Sequence, residues 1–249
     1  MDKIDKLVEI LERLNSGESP DSVKKEAQEF LAQIDATELS IAEQKLIQAG
    51  MAPEDLRHLC SMHMEMLKGE LEKMTNSLEK GHVIDTLVKE HEIILSFLDE
   101  LEETNKKIQE LETYAPDCEL FKKLLSLAQN LLGAEPHHQR EEQVLFPEVE
   151  NRGVTGPTRI MVMEHEDLRR YKHDVLDLAE NVSTMDFTEF KNRLNASAKL
   201  LILTLRDHIF KENNILYPTS LEVIQDADSW QKLKDACDKI GYCSFTPQQ

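Results

Sequence analysis

The amino-acid sequence predicts an all-α protein, an antiparallel up-down four-helix bundle preceded by a small helical domain. Three observations point there. Only eight glycines and eight prolines occur among 249 residues, too few for a turn-dense all-β fold. From Val83 onward, apolar residues recur at alternating steps of three and four, the pattern of one buried helix face. The same polar elements also appear twice, in the same order, along those segments. The formal net charge of −19 repels phosphate backbones and argues against a nucleic-acid partner. The longest apolar stretch, residues 200–205, is far shorter than the roughly 18 residues needed to cross a bilayer, so no membrane association is expected. The opening MDKIDKLVEI carries charge throughout and lacks the apolar core of a signal peptide. Four cysteines, Cys60, Cys118, Cys237 and Cys243, are too scattered for a disulfide framework. The expectation is a soluble, acidic, cytoplasmic protein.

The first quarter is punctuated into short helices. A helix over about residues 3–15 ends at Gly17, suited to the left-handed conformation beyond a helix end. Ser19 and Pro20 supply an N-cap and a proline at the first helical position. Ser40 and Glu43 match a capping box, Gly50 can stop that helix, and Pro53 opens a longer one reaching about Lys80, with Gly81 as the break. Residues 1–80 are therefore expected as a small helical domain. Residues 83–243 are expected as the four-helix bundle, closed by a C-terminal capping segment that carries Trp230, Tyr242 and Cys243.

Breaks near Ala115 and Pro116, at 153–157 and at 183–186 divide the bundle into four long helices. The first seam reads Ile84, Leu87, His91, Ile94, Leu98, Leu101, and the second Leu120, Leu124, Leu127, Leu131, Ala134, then a polar cluster. The third reads Met161, His165, Leu168, Val175, Ala179, Val182, interrupted by Lys172, and the fourth Leu194, Ala198, Leu201, Leu205, His208, Glu212, Ile215. In the second helix, HHQREE offers either His137 with Glu141 or His138 with Glu142. The internal repeat decides. HHQREEQVLFP from His137 and HIFKENNILYP from His208 both read H-x-x-x-E-x-x-x-L-aromatic-P, while Glu90-His91-Glu92 matches Glu164-His165-Glu166. Two helical hairpins with one set of polar elements imply a bundle with an approximate two-fold axis, and the repeat selects His137 and Glu141.

A histidine and a glutamate four residues apart project from one helix face. On a seam both point inward, where an unpaired carboxylate costs several kcal/mol unless it is protonated, paired or bound to metal. One buried histidine is more often a hydrogen-bonded core residue than a ligand. Four on four seams, two followed by glutamate, reverse that balance. No seam lysine or arginine is evident as counter-charge at this level, Lys172 lying about two turns from His165. Six ligands in two equivalent halves suit two ions bridged by the glutamates better than one. Mixed imidazole and carboxylate suits iron, zinc, manganese or copper, and the lack of thiolate donors disfavours a structural zinc site.

With these motifs, one per helix from about Val83 to Tyr242, the chain resembles the hemerythrin-like, or HHE cation-binding, domain family. The resemblance implies a non-haem di-iron centre of two iron ions, oxo- or hydroxo-bridged, although zinc or manganese can occupy such sites in a purified sample. Carried over by position, the ligands are His91, His137, Glu141, His165, His208 and Glu212, with both glutamates bridging. Oxygen-carrying members have a second histidine one turn beyond the third-helix ligand, where this chain has Arg169, and an aspartate five residues after the fourth-helix histidine, where Glu212 follows His208 by four. The pattern is closer to six-ligand members associated with iron or oxygen sensing and with repair of damaged iron centres. Each iron would keep one open position for O2, NO or peroxide. Residues 1–75 resemble an uncharacterised helical domain that often precedes such bundles in prokaryotes, and they would offer a surface for a protein partner.

The remaining candidates are weaker. Cys60 and His63 share a helical face, His138 is a neighbour or alternative ligand, and His58, His82 and His173 lack seam partners and read as surface or cap residues. Tyr171 and Tyr217 lie near the candidate ligands in sequence. The expected function is therefore binding or sensing of O2, NO or peroxide at a di-iron centre, with the N-terminal helices relaying the signal. The alternatives are a di-iron redox enzyme, an iron-centre repair protein, an iron sensor or store, and a metal-free interaction module.

Overall fold

The computed structural model describes residues 78–247 together with Asp5, Lys6, Val8, Glu9, Arg13 and Lys45. The features expected around Gly17, Ser40, Gly50, Pro53, Cys60 and His63, and the reading of His58, lie outside the described residues. Asp5, Lys6, Val8, Glu9 and Arg13 are helical.

Gly81 enters the bundle at φ +85°, a backbone state that L side chains avoid. His82 then caps helix α1 (Val83–Gln109), its Nδ1 accepting from the Ile84 amide at 3.2 Å. This bears out the cap reading of that histidine, and His173 is exposed as expected. Helix α2 (Glu119–Leu132) breaks at Gly133 and resumes as α3 (Glu135–Arg140), a π-helical turn (Glu141–Leu145) and α4 (Phe146–Asn151). Helix α5 (Gly156–Asn181) takes Pro157 in its first turn. Helix α6 (Phe187–Lys211), capped by Asp186, continues through a second π-helical turn (Glu212–Leu216) into α7 (Tyr217–Val223). A final helix, α8 (Ala227–Ile240), is capped by Asp226.

The bundle is square. Helix α1 packs on α2 and α6, and α5 packs on the same two. The seam residues read from the sequence are buried, apart from Leu120, which is half-buried. They form two apolar clusters. One runs along the bundle through Ile94, Leu98, Leu131, Leu168 and Leu205. The other lies toward α4, α7 and α8 and contains Leu87, Leu145, Met161, Ile215 and Leu216. On every seam the histidine falls between a residue of one cluster and a residue of the other, so the polar side chains form a layer between two greasy ones. Helix α8 packs over the second cluster, with Trp230 donating to the Ile224 carbonyl at 2.7 Å, and Val8 also packs against this cluster. No helix among the described residues is long and apolar enough to cross a membrane.

Lys172 is the exception on these seams, only 2 % exposed. Burial pulls its ammonium down to about 8, against the opposing pull of Glu135. A lysine whose folded pKa is depressed costs stability while both states are protonated, and the cost falls as pH rises from the folded toward the unfolded value. Lys172→Met is therefore expected to be more stable than the parent at pH 7, by an amount on the order of 3 kcal/mol. Denaturant unfolding at a series of pH values should show that advantage shrinking above pH 8. An equal midpoint at every pH would contradict the assignment.

Candidate metal centre

The two π-helical turns begin at Glu141 and Glu212, the carboxylates of the internal repeat. Each is closed by an i,i+5 bond, Phe146 N–H to the Glu141 carbonyl and Tyr217 N–H to the Glu212 carbonyl. Pro147 and Pro218 follow directly. A proline offers no N–H, and its ring crowds the carbonyl four residues back, so the ladder widens just before it. The L-aromatic-P ending of the repeat thus has a local structural consequence at the carboxylate.

The structure brings His91, His137, Glu141, His165, His208 and Glu212 together, all buried. His91 Nε2 lies 3.1 Å from His137 Nε2 and 3.1 Å from Glu212 Oε2. On the other side, Glu212 Oε1 is 2.9 Å from His208 Nε2 and 3.4 Å from His165 Nε2. Glu141 Oε2 sits between the halves, 3.6 Å from His137 Nε2 and 3.5 Å from His165 Nε2. Glu212 therefore turns one oxygen to each half.

The outer nitrogens explain why the inner ones converge. His137 Nδ1 donates to Glu90 at 2.7 Å, His208 Nδ1 to Glu164 at 2.9 Å, His165 Nδ1 to Glu142 at 2.7 Å and His91 Nδ1 to Asn213 at 2.8 Å. A carboxylate or amide oxygen can only accept, so Nδ1 carries the hydrogen and Nε2 of each ring is turned inward. The two-fold relation holds in this outer layer too. Glu90 and Glu164 precede His91 and His165, while Glu142 and Asn213 follow Glu141 and Glu212.

Counter-charge is present after all, where the seam pattern does not show it. Arg140 and Lys211, each three residues after a repeat histidine, are buried but pair with Glu90 and Glu164 rather than with Glu141 or Glu212. Against the penalty of burial, the hydrogen bond from His137 and the Arg140 charge hold Glu90 down at about 2. Thr246 donates to Glu90 and Cys243 Sγ lies 4.0 Å from Arg140, so the C-terminal segment closes this network. Their shared spacing from His137 and His208 was the signal available in the sequence. Only the first glutamate of each E-H-E is used, Glu92 and Glu166 being exposed.

Among the described residues no lysine or arginine pairs with Glu141 or Glu212, so their charge is balanced within the inner layer itself. Burial, and then the Glu212 carboxylate, push Glu141 well above the usual carboxylate range. Burial would do the same to Glu212, but His208 and His165 hold it well below. Burial lowers His208, yet Glu212 and Glu164 raise it to about 9. Glu141 Oε2, Glu212 Oε2 and His208 Nε2 are buried and make no hydrogen bond. Donors about 2.1 Å from one ion and at right angles to each other lie about 3 Å apart, close to the inner spacings here. Buried imidazole nitrogens and carboxylate oxygens at that spacing, two of the oxygens without a hydrogen bond, are a donor set that fits divalent cations.

His138 lies in the same layer, near His165 and His208. Its ring stacks on His165 with centroids 3.9 Å apart and planes inclined by 10°. Its Nδ1 is buried without a hydrogen bond, and a nitrogen of His138 lies within 4.8 Å of nitrogens of His165 and His208, although the stacking keeps the His138 and His165 planes from converging on one point. Arg169, at the place of the extra histidine of oxygen carriers, binds Glu135 and Glu142. Tyr171 contacts Arg170, whereas Tyr217 reaches the inner layer.

Two outcomes follow from the outer layer. Asn213→Ala removes the partner of His91 Nδ1 at a half-buried position and is expected to weaken metal affinity about 10- to 100-fold with helical content retained, as read by competition with a chelator. Arg140→Met leaves Glu90 buried without its cation and is expected to cost about 3–5 kcal/mol in denaturant unfolding.

The description "Hemerythrin HHE cation binding domain" matches residues 82–220, and a family of unknown function, DUF438, matches residues 7–73. The iron-sulfur cluster repair protein YtfE of Salmonella schwarzengrund (strain CVM19633) is 27 % identical over 165 residues, 63 % of this chain and 73 % of the relative. The protein of the same name from Salmonella newport (strain SL254) matches with the same identity and coverage. The first match spans the whole bundle with both halves of the repeat, and the chain belongs to the hemerythrin HHE cation-binding domain family.

Proposed function

We propose that this protein is a non-haem di-iron protein that binds O2, NO or peroxide, with His91, His137, Glu141, His165, His208 and Glu212 as its metal ligands. The division of six inward-facing donors into two halves, with Glu212 turning an oxygen to each, carries this conclusion. Imidazole and carboxylate donors without thiolate suit iron, and the relatives are named for repair of an iron centre. Iron held there would supply one-electron redox chemistry and an open position for a small ligand. The chain's own residues orient and insulate. The Nδ1 bonds lock four rings, Glu141 and Glu212 would offset part of the cations' charge, and the apolar clusters on either side exclude bulk water. Val8 packs on the cluster next to this layer, which supports a relay from the centre to the N-terminal helices.

A second reading, repair of damaged iron centres, is favoured by the name of the relatives. It uses the same ligands but requires iron to leave.

Anaerobic reconstitution followed by metal analysis is expected to give roughly two irons per chain, and Mössbauer spectra of the oxidised protein a coupled ferric pair. His165→Ala should lose iron. Full iron retention by that variant, or far less than stoichiometric iron in the parent, would count against the ligand set. Incubation with a damaged iron-sulfur enzyme separates the two readings. Reversible NO binding with iron retained supports sensing, while reactivation of the enzyme with matching iron loss supports repair.

A further inference from the structure

The two halves of the centre are related by the repeat but are not chemically equal. Phe146 and Tyr217 occupy the same place in H-x-x-x-E-x-x-x-L-aromatic-P. Their rings do the same packing: Phe146 stacks on His165 at 5.9 Å between centroids, and Tyr217 stacks on His91 at 5.5 Å with planes inclined by 11°. The difference is one oxygen. Tyr217 is fully buried, and its hydroxyl lies 2.8 Å from Glu141 Oε1, 3.4 Å from His137 Nε2 and 3.5 Å from His91 Nε2.

The two nitrogens belong to candidate donors of one half, and Glu141 lies between the halves. A hydroxyl whose sole task was to bond Glu141 would have no reason to stand beside both imidazole lone pairs. Distances of 2.8–3.5 Å to three ligand atoms match the separation of neighbouring donors around one ion. The phenolic oxygen stands where a further donor of the His91–His137 half would stand.

We propose that Tyr217 is a ligand of the metal in that half, bound through its phenolate oxygen. This rests on the di-iron reading above. On metal binding the O–H bond breaks, the oxygen–metal bond forms and the proton leaves to solvent, as when a cation displaces the proton of any protonated ligand. No oxidant or reductant is needed. The second half has Phe146 in the equivalent place and lacks this oxygen donor. An anionic oxygen donor favours the harder ferric state, so iron held beside Tyr217 would be the harder to reduce.

The chain has four tyrosines, and the other three are engaged elsewhere. Tyr114 packs on Phe121, Tyr171 contacts Arg170 and Tyr242 donates to Asp238. A phenolate signal from bound iron therefore reports on Tyr217 alone. The test is resonance Raman and visible absorption of the full-length, iron-loaded, oxidised protein, with iron content measured on the same samples. The parent should show a phenolate-to-iron charge-transfer band with enhanced tyrosine ring modes. Tyr217→Phe, which keeps the stacked ring, should lose band and modes entirely while retaining at least half of the parent's iron. An iron-loaded parent without phenolate modes, or a Tyr217→Phe protein that keeps them, overturns the assignment and leaves the di-iron reading standing. A parent that takes up no iron overturns both.

Discussion

Glu141 and Glu212 lie together in a fully buried layer, and among the described residues neither is paired with lysine or arginine. Two carboxylates in that position cannot both be ionised without compensation, because each carries a desolvation cost of several kcal/mol and each raises the cost of the other. The rest of the site follows from that constraint. Within the chain that compensation comes from the His208 imidazole and from the raised Glu141 carboxyl; on the proposed reading bound cations would supply it, with four imidazoles turned inward around them.

The outer layer serves the same end. Arg140 and Lys211 bring two cations into the interior, yet both are spent on Glu90 and Glu164, the carboxylates that hold His137 and His208. Each pair is close to neutral, so neither cation serves Glu141 or Glu212 while the rings stay oriented. The π-helical turns at Glu141 and Glu212 are part of the same device. They form where the following proline prevents an ordinary helical ladder, and they sit in both halves because the proline does.

Symmetry organises the centre, and departures from it differentiate the two sides. Glu90 and Glu164, Arg140 and Lys211, and the repeat histidines and glutamates form matched pairs. Tyr217 against Phe146, Asn213 against Glu142 and His138 against Ile209 are unmatched. All three differences fall within or beside the donor layer. The half near Tyr217 has an additional oxygen, and the half near Phe146 has an additional ring.

The periodicity of the seams and the doubled H-x-x-x-E-x-x-x-L-aromatic-P motif were enough to determine a four-helix bundle and the faces its helices turn inward. Those features repeat at the helical period, and a repeat along the chain becomes a layer in space whenever the helices pack. What only the tertiary structure decided lies off that period or between helices. Which acceptor each Nδ1 finds, that Arg140 and Lys211 are buried but belong to Glu90 and Glu164, that His138 lies flat on His165, and that Tyr217 rather than Tyr171 reaches the layer all depend on the distance and angle at which neighbouring helices meet. A linear pattern records which face a residue occupies, whereas its partner across the bundle is set by the packing of two surfaces.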